Sequence, residues 1–203
     1  NETQIAEQRV NETFGTQNIM ALLVPKGDYA SEKALLNRLE TYDQVDYAMG
    51  LSNVEVMDGY TLTDALTPRQ FSEMTDLDYE LVCLVYAAYA AEQEEYGRIV
   101  GGLDDYAVPL MDMFFFAYDK VEEGYVNLDE EQQADLDDLY VQLSDAQEQL
   151  LGENYTRMLV SLNLPEEGEE TFAFLQTIHQ EAERYYDAGS VYLVGDSTSD
   201  YDL

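Results

Sequence analysis

The sequence predicts an α+β fold in which a long helical stretch separates two β-α-β units. The first observation is a near-repeat at the two ends of the chain: the apolar run 19–24 stops at Pro25, and the run 158–164 stops at Pro165. A glycine-containing turn, a helical pattern and a second strand-like run follow each proline. The second observation is that the segment between the repeats has helical periodicity. Together they predict a ferredoxin-like split βαβ fold, a four-stranded antiparallel sheet with two packed helices, carrying a large all-helical insertion.

The first β-α-β unit is predicted over residues 14–58. Residues 19–24 are apolar at successive positions, as in a central strand buried on both faces. Asp28 is suited to cap the next helix, with Glu32 in its first turn. The apolar stripe of that helix comprises Leu35, Leu36, Leu39 and Tyr42. A strand with one buried face is then predicted, with Val45, Tyr47, Met49 and Leu51 on that face.

The helical insertion is predicted over residues 59–154. Thr67 and Gln70 form a capping box around Pro68 and begin one helix. A long amphipathic helix follows, ending near Gly97 or Gly101, whose apolar residues are Leu77, Leu81, Leu84, Val85 and Ala88. Residues 108–121 form another apolar helix. Asp129 caps the last helix, whose buried residues are predicted to be Leu136, Leu139, Leu143, Ala146 and Leu150.

The second β-α-β unit is predicted over residues 155–196. Residues 155–164 form its first strand and residues 191–194 its short closing strand. The helix between them has the predicted stripe Phe172, Leu175, Ile178, Ala182 and Tyr186. Residues 197–203 are a polar exit tail, and residues 1–203 as a whole are predicted to be a single domain.

The dominant property of the surface is negative charge. The chain has 9 basic and 43 acidic residues, a formal net charge of −34, but its hydrophobic content of 46% excludes a disordered chain. Such a surface repels nucleic acid and anionic lipid headgroups, so nucleic acid is excluded as a partner. The simplest interpretation is a highly solvated exterior.

Other features of the chain bear on its cellular location. Cys83 has no second cysteine to pair with, and its apolar neighbours predict a buried structural thiol. The sequence does not begin with Met and has no signal peptide. Its longest apolar stretch, residues 81–91, is too short to span a bilayer, so the isolated domain is not expected to insert into membranes. We therefore expect a soluble piece of a larger protein.

Three segments carry a family resemblance: Phe14-Gly15-Thr16-Gln17-Asn18, Leu23-Val24-Pro25-Lys26-Gly27-Asp28-Tyr29, and Tyr192-Leu193-Val194-Gly195-Asp196-Ser197. With the strand-proline-helix-strand order between them, they resemble an extracytoplasmic loop domain of the MMPL branch of the RND superfamily of exporters. The resemblance covers most of the chain. The helical middle is similar to the version found in anaerobic Gram-positive bacteria.

The resemblance implies a porter-like domain between two transmembrane helices of a proton-driven exporter, on the extracytoplasmic face of the membrane. Its partners would be the sister extracytoplasmic domain and the transmembrane helices of the same protein. Of the two such loops, the second is favoured, because the segment before Phe14 lacks features expected after the first helix. The proton-relay carboxylates of the family lie in membrane segments, so no acidic residue here inherits that role. The resemblance implies no enzymatic activity and no cofactor.

One surface is a candidate for binding. An apolar surface is predicted from aromatic and methionine side chains in the insertion: Tyr86, Tyr89, Met111, Phe114, Phe115 and Phe116. Three consecutive phenylalanines cannot all point the same way on a helix, so at least one faces a second surface. The simpler alternative is two-sided packing within the fold. The functional alternative is a groove for a lipid-like substrate or a partner domain.

Candidates for catalysis or metal binding are weak. His179, the only histidine, is expected at the boundary of the core, and no nucleophile motif accompanies it. Residues 196–202 resemble a calcium loop but lack the glycine and glutamate of an EF-hand, so only weak calcium binding is open. The acidic pairs 104–105, 137–138 and 166–167 are expected at a solvated face. No catalytic residue, metal site or cofactor site is predicted.

Two other function classes remain open beside the exporter domain. A stand-alone cell-surface binding module predicts a secretion signal and one anchor, whereas the exporter predicts a transmembrane helix on both sides. A hydrolase with paired carboxylates predicts a cleft that holds two of them at glycosidase spacing, one with a raised pKa. Fully exposed acidic pairs would count against the hydrolase.

Overall fold

The computed structural model describes residues 18–99 and 101–195, apart from the side chains of Tyr96 and Arg98. The strands in this part of the chain are β1 (Asn18–Pro25), β2 (Val45–Met49), β3 (Glu55–Met57), β4 (Tyr60–Thr61), β5 (Ala65–Leu66), β6 (Val108–Pro109), β7 (Tyr155–Leu162) and β8 (Tyr192–Gly195). The helices are α1 (Tyr29–Leu39), α2 (Pro68–Thr75), α3 (Tyr79–Glu92), α4 (Leu110–Glu122), α5 (Glu130–Leu150) and α6 (Glu169–Ala182), with a 3₁₀ turn at Tyr96–Ile99. The predicted α+β class is confirmed.

The described residues divide into two compact units. The sheet unit contains those up to Glu55 and those from Asp145 onward, and the helical unit contains Val56–Ser144. The predicted insertion, residues 59–154, differs from the helical unit mainly at its end, because the boundary falls inside α5.

The sheet unit is built on four antiparallel strands in the order β2-β7-β1-β8. β1 pairs with β7 along its whole length, from Asn18 opposite Leu162 to Pro25 opposite Tyr155. β8 pairs with the other edge of β1, and β2 with the other edge of β7. The two central strands therefore come from opposite ends of the chain, and they are the two apolar runs that stop at a proline.

Helices α1 and α6 share one core with the sheet. Asp28 caps α1 by accepting a hydrogen bond from the Ser31 amide at 3.0 Å, as predicted. The buried residues of this core are Met20, Leu22, Val24, Leu35, Leu36, Leu39, Val45, Ala48, Met158, Val160, Leu162, Phe174, Leu175, Ile178, Ala182, Val191 and Leu193. The side chain of Glu181, on α6, is 8% exposed. Its carboxylate binds Arg38 on α1 and Arg184 just after α6.

Two apolar faces in the sheet unit differ from prediction. In and just after β2, the four residues predicted to be buried are buried: Val45, Tyr47, Met49 and Leu51. Ala48 is buried as well and joins Val45 in the core shared with α1 and α6, and a register shift between Val45 and Tyr47 marks a β-bulge. The predicted simple alternation is wrong because the bulge changes its phase. In α6, Phe172 is 46% exposed, whereas Phe174 is buried against Tyr42 with an edge-to-face ring contact of 5.4 Å.

The helical unit is not all helical, contrary to prediction. Two short sheets, β3–β4 and β5–β6, lie within or at the start of it. Asp58 and Gly59 connect β3 to β4 and both have positive φ, 54° and 80°. Two successive positive φ values suit a type I′ hairpin, and Asp-Gly is a preferred sequence for it. This local signal accounts for the first sheet.

The predicted capping box at the start of α2 is present. The Gln70 amide donates to the Thr67 hydroxyl at 3.3 Å, and the Thr67 amide donates to the Gln70 side-chain oxygen at 2.9 Å. On α5 the five predicted residues are all buried, and the side chains of Asp129 and Gln132 cap its first turn reciprocally. Within the described part of the chain, no helix combines the length and apolarity needed to cross a bilayer.

Candidate functional site

Helix α3 is apolar on every side, from Leu81 to Ala91. Only one of its faces is buried, and that face consists of Val82, Tyr86 and Ala90. Tyr86 is fully buried, and its hydroxyl donates to the Leu66 carbonyl oxygen at 2.7 Å. Its ring also makes edge-to-face contacts with Phe71 and Tyr106, at centroid distances of 6.0 and 6.2 Å. This face anchors α3 in the helical unit.

The opposite side of α3 lines an open apolar groove of about 250 Å³. Leu81, Leu84, Val85 and Ala88 form one wall. The other wall comes from the end of α4 and the segment after it, with Lys120, Tyr125 and Val126. Leu84 is 69% exposed and Tyr125 is 76% exposed, the two largest exposures among the big apolar side chains described. We call this feature the α3 groove.

Beneath the α3 groove lies a narrow cavity of about 20 Å³. Leu81, Val85 and Val126 line both spaces. The residues that line only the lower cavity are Phe71, Leu77, Val82, Tyr86, Ala117, Val121 and Leu136. The groove is therefore shallow, with a packed aromatic and aliphatic floor.

One cation lies at the edge of the groove between acidic residues. The Lys120 ammonium is 3.6 Å from a carboxylate oxygen of Glu92 and 3.5 Å from one of Glu123. It also lies 5.0 Å from the ring centroid of Phe116 and 5.3 Å from that of Tyr125. Partial desolvation opposes the charged form, but Glu123 and Glu92 outweigh it and raise the pKa of Lys120 above its usual value. Two carboxylates against one ammonium leave this edge negative.

The structure separates the six residues of the predicted apolar surface. Tyr86, Met111 and Phe114 are buried in the helical unit, so the prediction of a surface role is wrong for these three. Tyr89, Phe115 and Phe116 are partly exposed. Tyr89 contacts Phe116 edge to face at 5.2 Å, and Phe115 contacts Tyr140 at 5.8 Å. The three consecutive phenylalanines of α4 do not share one environment, because consecutive helical residues are about 100° apart.

The prediction of an amphipathic α3 is wrong, because residues 81–91 are apolar on every side of the helix. Leu81, Leu84, Val85 and Ala88 are among the apolar residues named for this helix, and they line the groove. A helix that is apolar all round gives no periodic signal that selects one face. Tyr125, next to Gly124 in the turn after α4, belongs to none of the predicted apolar stripes or surfaces. The available signal was the excess of apolar residues on α3 over those that one buried face requires.

Other sequence candidates do not assemble into a reaction centre. His179 is 17% exposed, at the expected boundary of the core, with Nδ1 3.1 Å from Glu183 Oε1 and Nε2 3.3 Å from the Val191 carbonyl oxygen. Cys83 is partly exposed on α3, so the prediction of a buried thiol is wrong. All six residues of the acidic pairs 104–105, 137–138 and 166–167 are exposed. This exposure counts against glycosidase chemistry, which needs a carboxyl group of raised pKa in a cleft.

Metal ligands are also dispersed in the described ranges 18–99 and 101–195. No group of three or more His, Cys, Asp and Glu side chains there is arranged to hold a metal ion. The possible calcium loop at residues 196–202 lies outside the described residues. So do Phe14–Gln17 and Asp196–Ser197 of the segments that carry the family resemblance.

Comparison with known proteins adds no relative. No protein-family model, no characterised protein sequence and no solved structure matches the chain. The α3 groove is the candidate site because it is an open apolar surface with two large exposed side chains, Leu84 and Tyr125.

Proposed function

We propose that this chain is a non-enzymatic extracytoplasmic domain of a proton-driven exporter of the MMPL/RND type. The observation that carries the proposal is the strand order β2-β7-β1-β8. Helix α1 connects β1 to β2 across β7, and α6 connects β7 to β8 across β1. This interleaving supports a ferredoxin-like split βαβ core, the fold that the sequence resemblance implies. The helical unit is inserted between the two halves, where the resemblance also places an insertion.

In this proposal the domain acts by changing position, not by chemistry. The long β1–β7 ladder joins the two halves of the sheet unit, so this unit would move as one body. Rocking of such domains accompanies alternating access in secondary transporters. The domain would contribute to the path of a hydrophobic or lipid-like cargo and to contacts with the sister domain and the transmembrane helices. Its place would be the extracytoplasmic face of the membrane.

A second candidate is a stand-alone cell-surface binding module. The observation that favours it is the α3 groove, an apolar surface with Leu84 and Tyr125 well exposed. Fold alone does not separate the two candidates, since one fold hosts many functions. Both are binding functions, and neither requires the acidic side chains to catalyse a reaction.

The deciding experiment is to read the gene on both sides of the codons for Asn1 and Leu203. The exporter proposal expects apolar stretches of about 20 residues on both flanks, further spans, and a second loop in the same reading frame. A reporter fused after each span should place both loops on the outer side of the membrane. A signal peptide upstream with a single wall or membrane anchor downstream would overturn the exporter proposal in favour of the surface module.

A further inference from the structure

We propose that the α3 groove binds an amphipathic helix with a basic polar face, supplied by another protein. This inference goes beyond the exporter proposal and does not rest on it, because an exporter domain and a surface module could both bind such a helix. It is carried by three properties of the groove: its size, its shape and the charge around it.

The size of the groove suits side chains better than a whole small molecule. Pockets that enclose a drug-sized ligand have volumes of about 300–1,000 Å³. A cavity of about 150 Å³ holds a benzene-sized group. The groove, at about 250 Å³ and open along one side, therefore has room for about two Leu or Phe side chains from a backbone that stays outside.

The shape of the groove follows a helix axis. Leu81, Leu84, Val85 and Ala88 are spaced at i, i+3, i+4 and i+7 along α3, so the apolar wall runs for two helical turns. A partner helix that lies along this wall can direct its own i, i+3, i+4 and i+7 side chains toward the wall. The cavity below the floor measures only about 20 Å³. The partner's side chains would therefore rest on the floor of the groove and would not enter the space below it.

The charge around the groove selects a basic partner. Glu92 and Glu123 lie at one edge around Lys120, and exposed Glu80 precedes Leu84 by one helical turn. The chain as a whole has a net charge of −34. An anionic amphiphile or an acidic helix would be repelled, whereas Lys and Arg flanking the apolar anchors would be attracted.

Other occupants from this chain fit the charge poorly. Residues 1–17 carry Glu2, Glu7 and Glu12 against one base, Arg9. Residues 196–203 carry three aspartates and no base. A second copy brings the same negative charge of −34 to the contact. These charges count against residues 1–17, residues 196–203 and a second copy as the source of the helix.

The test is binding of a fluorescein-labelled peptide of about 18 residues, five helical turns, with Leu at the i, i+3, i+4, i+7 positions and Lys elsewhere. The control peptide has the same composition in a scrambled order without an apolar face. We expect the patterned peptide to bind at least tenfold more tightly in fluorescence anisotropy. Equal binding of both peptides would show only non-specific attraction to an acidic protein and would overturn the proposal.

Matched protein variants locate the peptide. Leu84→Asp places a charge in the groove, and Val141→Asp places the same charge on α5 at a residue that is 58% exposed and does not line the groove. Leu84→Asp should weaken binding at least tenfold, and Val141→Asp less than twofold. Circular dichroism checks the fold of each variant, and Tyr125→Asp serves as a second groove variant. Equal losses from Leu84→Asp and Val141→Asp would overturn the proposal.

Competing occupants give distinct results. If monomeric dodecyl maltoside binds in a Leu84-dependent way and the patterned peptide does not bind, the groove takes an uncharged amphiphile and the proposal is wrong. If sedimentation velocity shows a dimer of the wild-type chain that Leu84→Asp dissociates, the occupant is a second copy and the proposal is equally wrong.

Discussion

At the scale of single residues, Glu32 is the carboxylic acid in the described part of the chain whose pKa is shifted furthest by its surroundings. It lies in the first turn of α1, where the helix dipole stabilises a negative charge. Its side chain is nevertheless fully buried. One oxygen is 3.4 Å from the Thr156 hydroxyl on β7. Burial raises the pKa of Glu32 to about 7, and nearby Asp28 adds to the effect, while Thr156 and the Gly27 amide oppose it.

This raised pKa predicts that stability falls as the pH rises. The ordinary pKa of 4.5 applies to the unfolded chain, so between pH 4.5 and 7 the folded state holds the proton more tightly. The free energy of unfolding should therefore decrease across this window, and above pH 7 the full loss should be present. The loss from this group is about 3 kcal/mol at most. Glu32→Gln should remove the dependence and be more stable than the wild type at pH 8.

The measurement is urea unfolding of both proteins at pH 5 and pH 8, followed by circular dichroism. Glu170→Gln is the matched control, because Glu170 is an exposed glutamate in the first turn of α6. It should leave the pH dependence of the wild type unchanged. A Glu32→Gln protein that is less stable than the wild type at pH 8 would show that the buried charge is compensated.

At the scale of elements, α3 has one buried face and one face that lines the α3 groove. Val82 is 2% exposed, whereas Leu84, two positions later, points to the α3 groove. Positions two apart on a helix are separated by about 200°. The same apolar residue types therefore have different roles according to which neighbours the fold brings to them.

The two faces predict opposite results of truncation to alanine. Val82→Ala should lower the free energy of unfolding by about 2 kcal/mol, from lost burial and the cavity left behind. Leu84→Ala should change it by less than about 0.5 kcal/mol, since the side chain is exposed and alanine favours the helix. Chemical denaturation of the two variants beside the wild type is the measurement, and each variant is the control for the other. Similar losses from both changes would contradict the assignment of faces.

At the scale of the whole molecule, the excess of negative charge opposes folding. The 43 acidic residues face only 9 basic ones, and compaction brings the like charges closer together. Three of the basic residues lie beside carboxylates and offset part of this repulsion. Arg38 and Arg184 both contact Glu181, and Lys120 lies between Glu92 and Glu123.

Salt should therefore stabilise the protein. Raising NaCl from 10 to 500 mM screens charges over distances that shrink from about 30 to less than 10 Å. We expect the melting temperature at pH 8 to rise by about 3 °C or more, corresponding to roughly 1 kcal/mol for a chain of this size. Tetramethylammonium chloride at the same concentrations is the control and should act equally if screening is the cause. A melting temperature that NaCl leaves unchanged or lowers would contradict the argument.

The sequence predicted the sheet unit well because its signals are local. Apolar runs ending at Pro25 and Pro165 mark the central strands, and Asp28 and Thr67 mark helix starts through hydrogen bonds to residues three positions away. The Asp58–Gly59 hairpin is also a local signal, and it contradicts the prediction of an all-helical insertion. The bulge in β2 was not predictable in the same way, since it is defined by its pairing with β7.

The candidate site depends on a property that local sequence signals do not determine, namely which face of α3 is buried. Sequence by itself determined that α3 is a helix, that it is apolar, and that the surface around it is acidic, because these properties belong to consecutive residues and to composition. Only the tertiary structure decided that Val82 and Tyr86 face the interior while Leu84 faces the groove. The physical reason is that burial depends on which distant segments pack against a helix. When a helix is apolar on every side, its sequence does not indicate which face they cover.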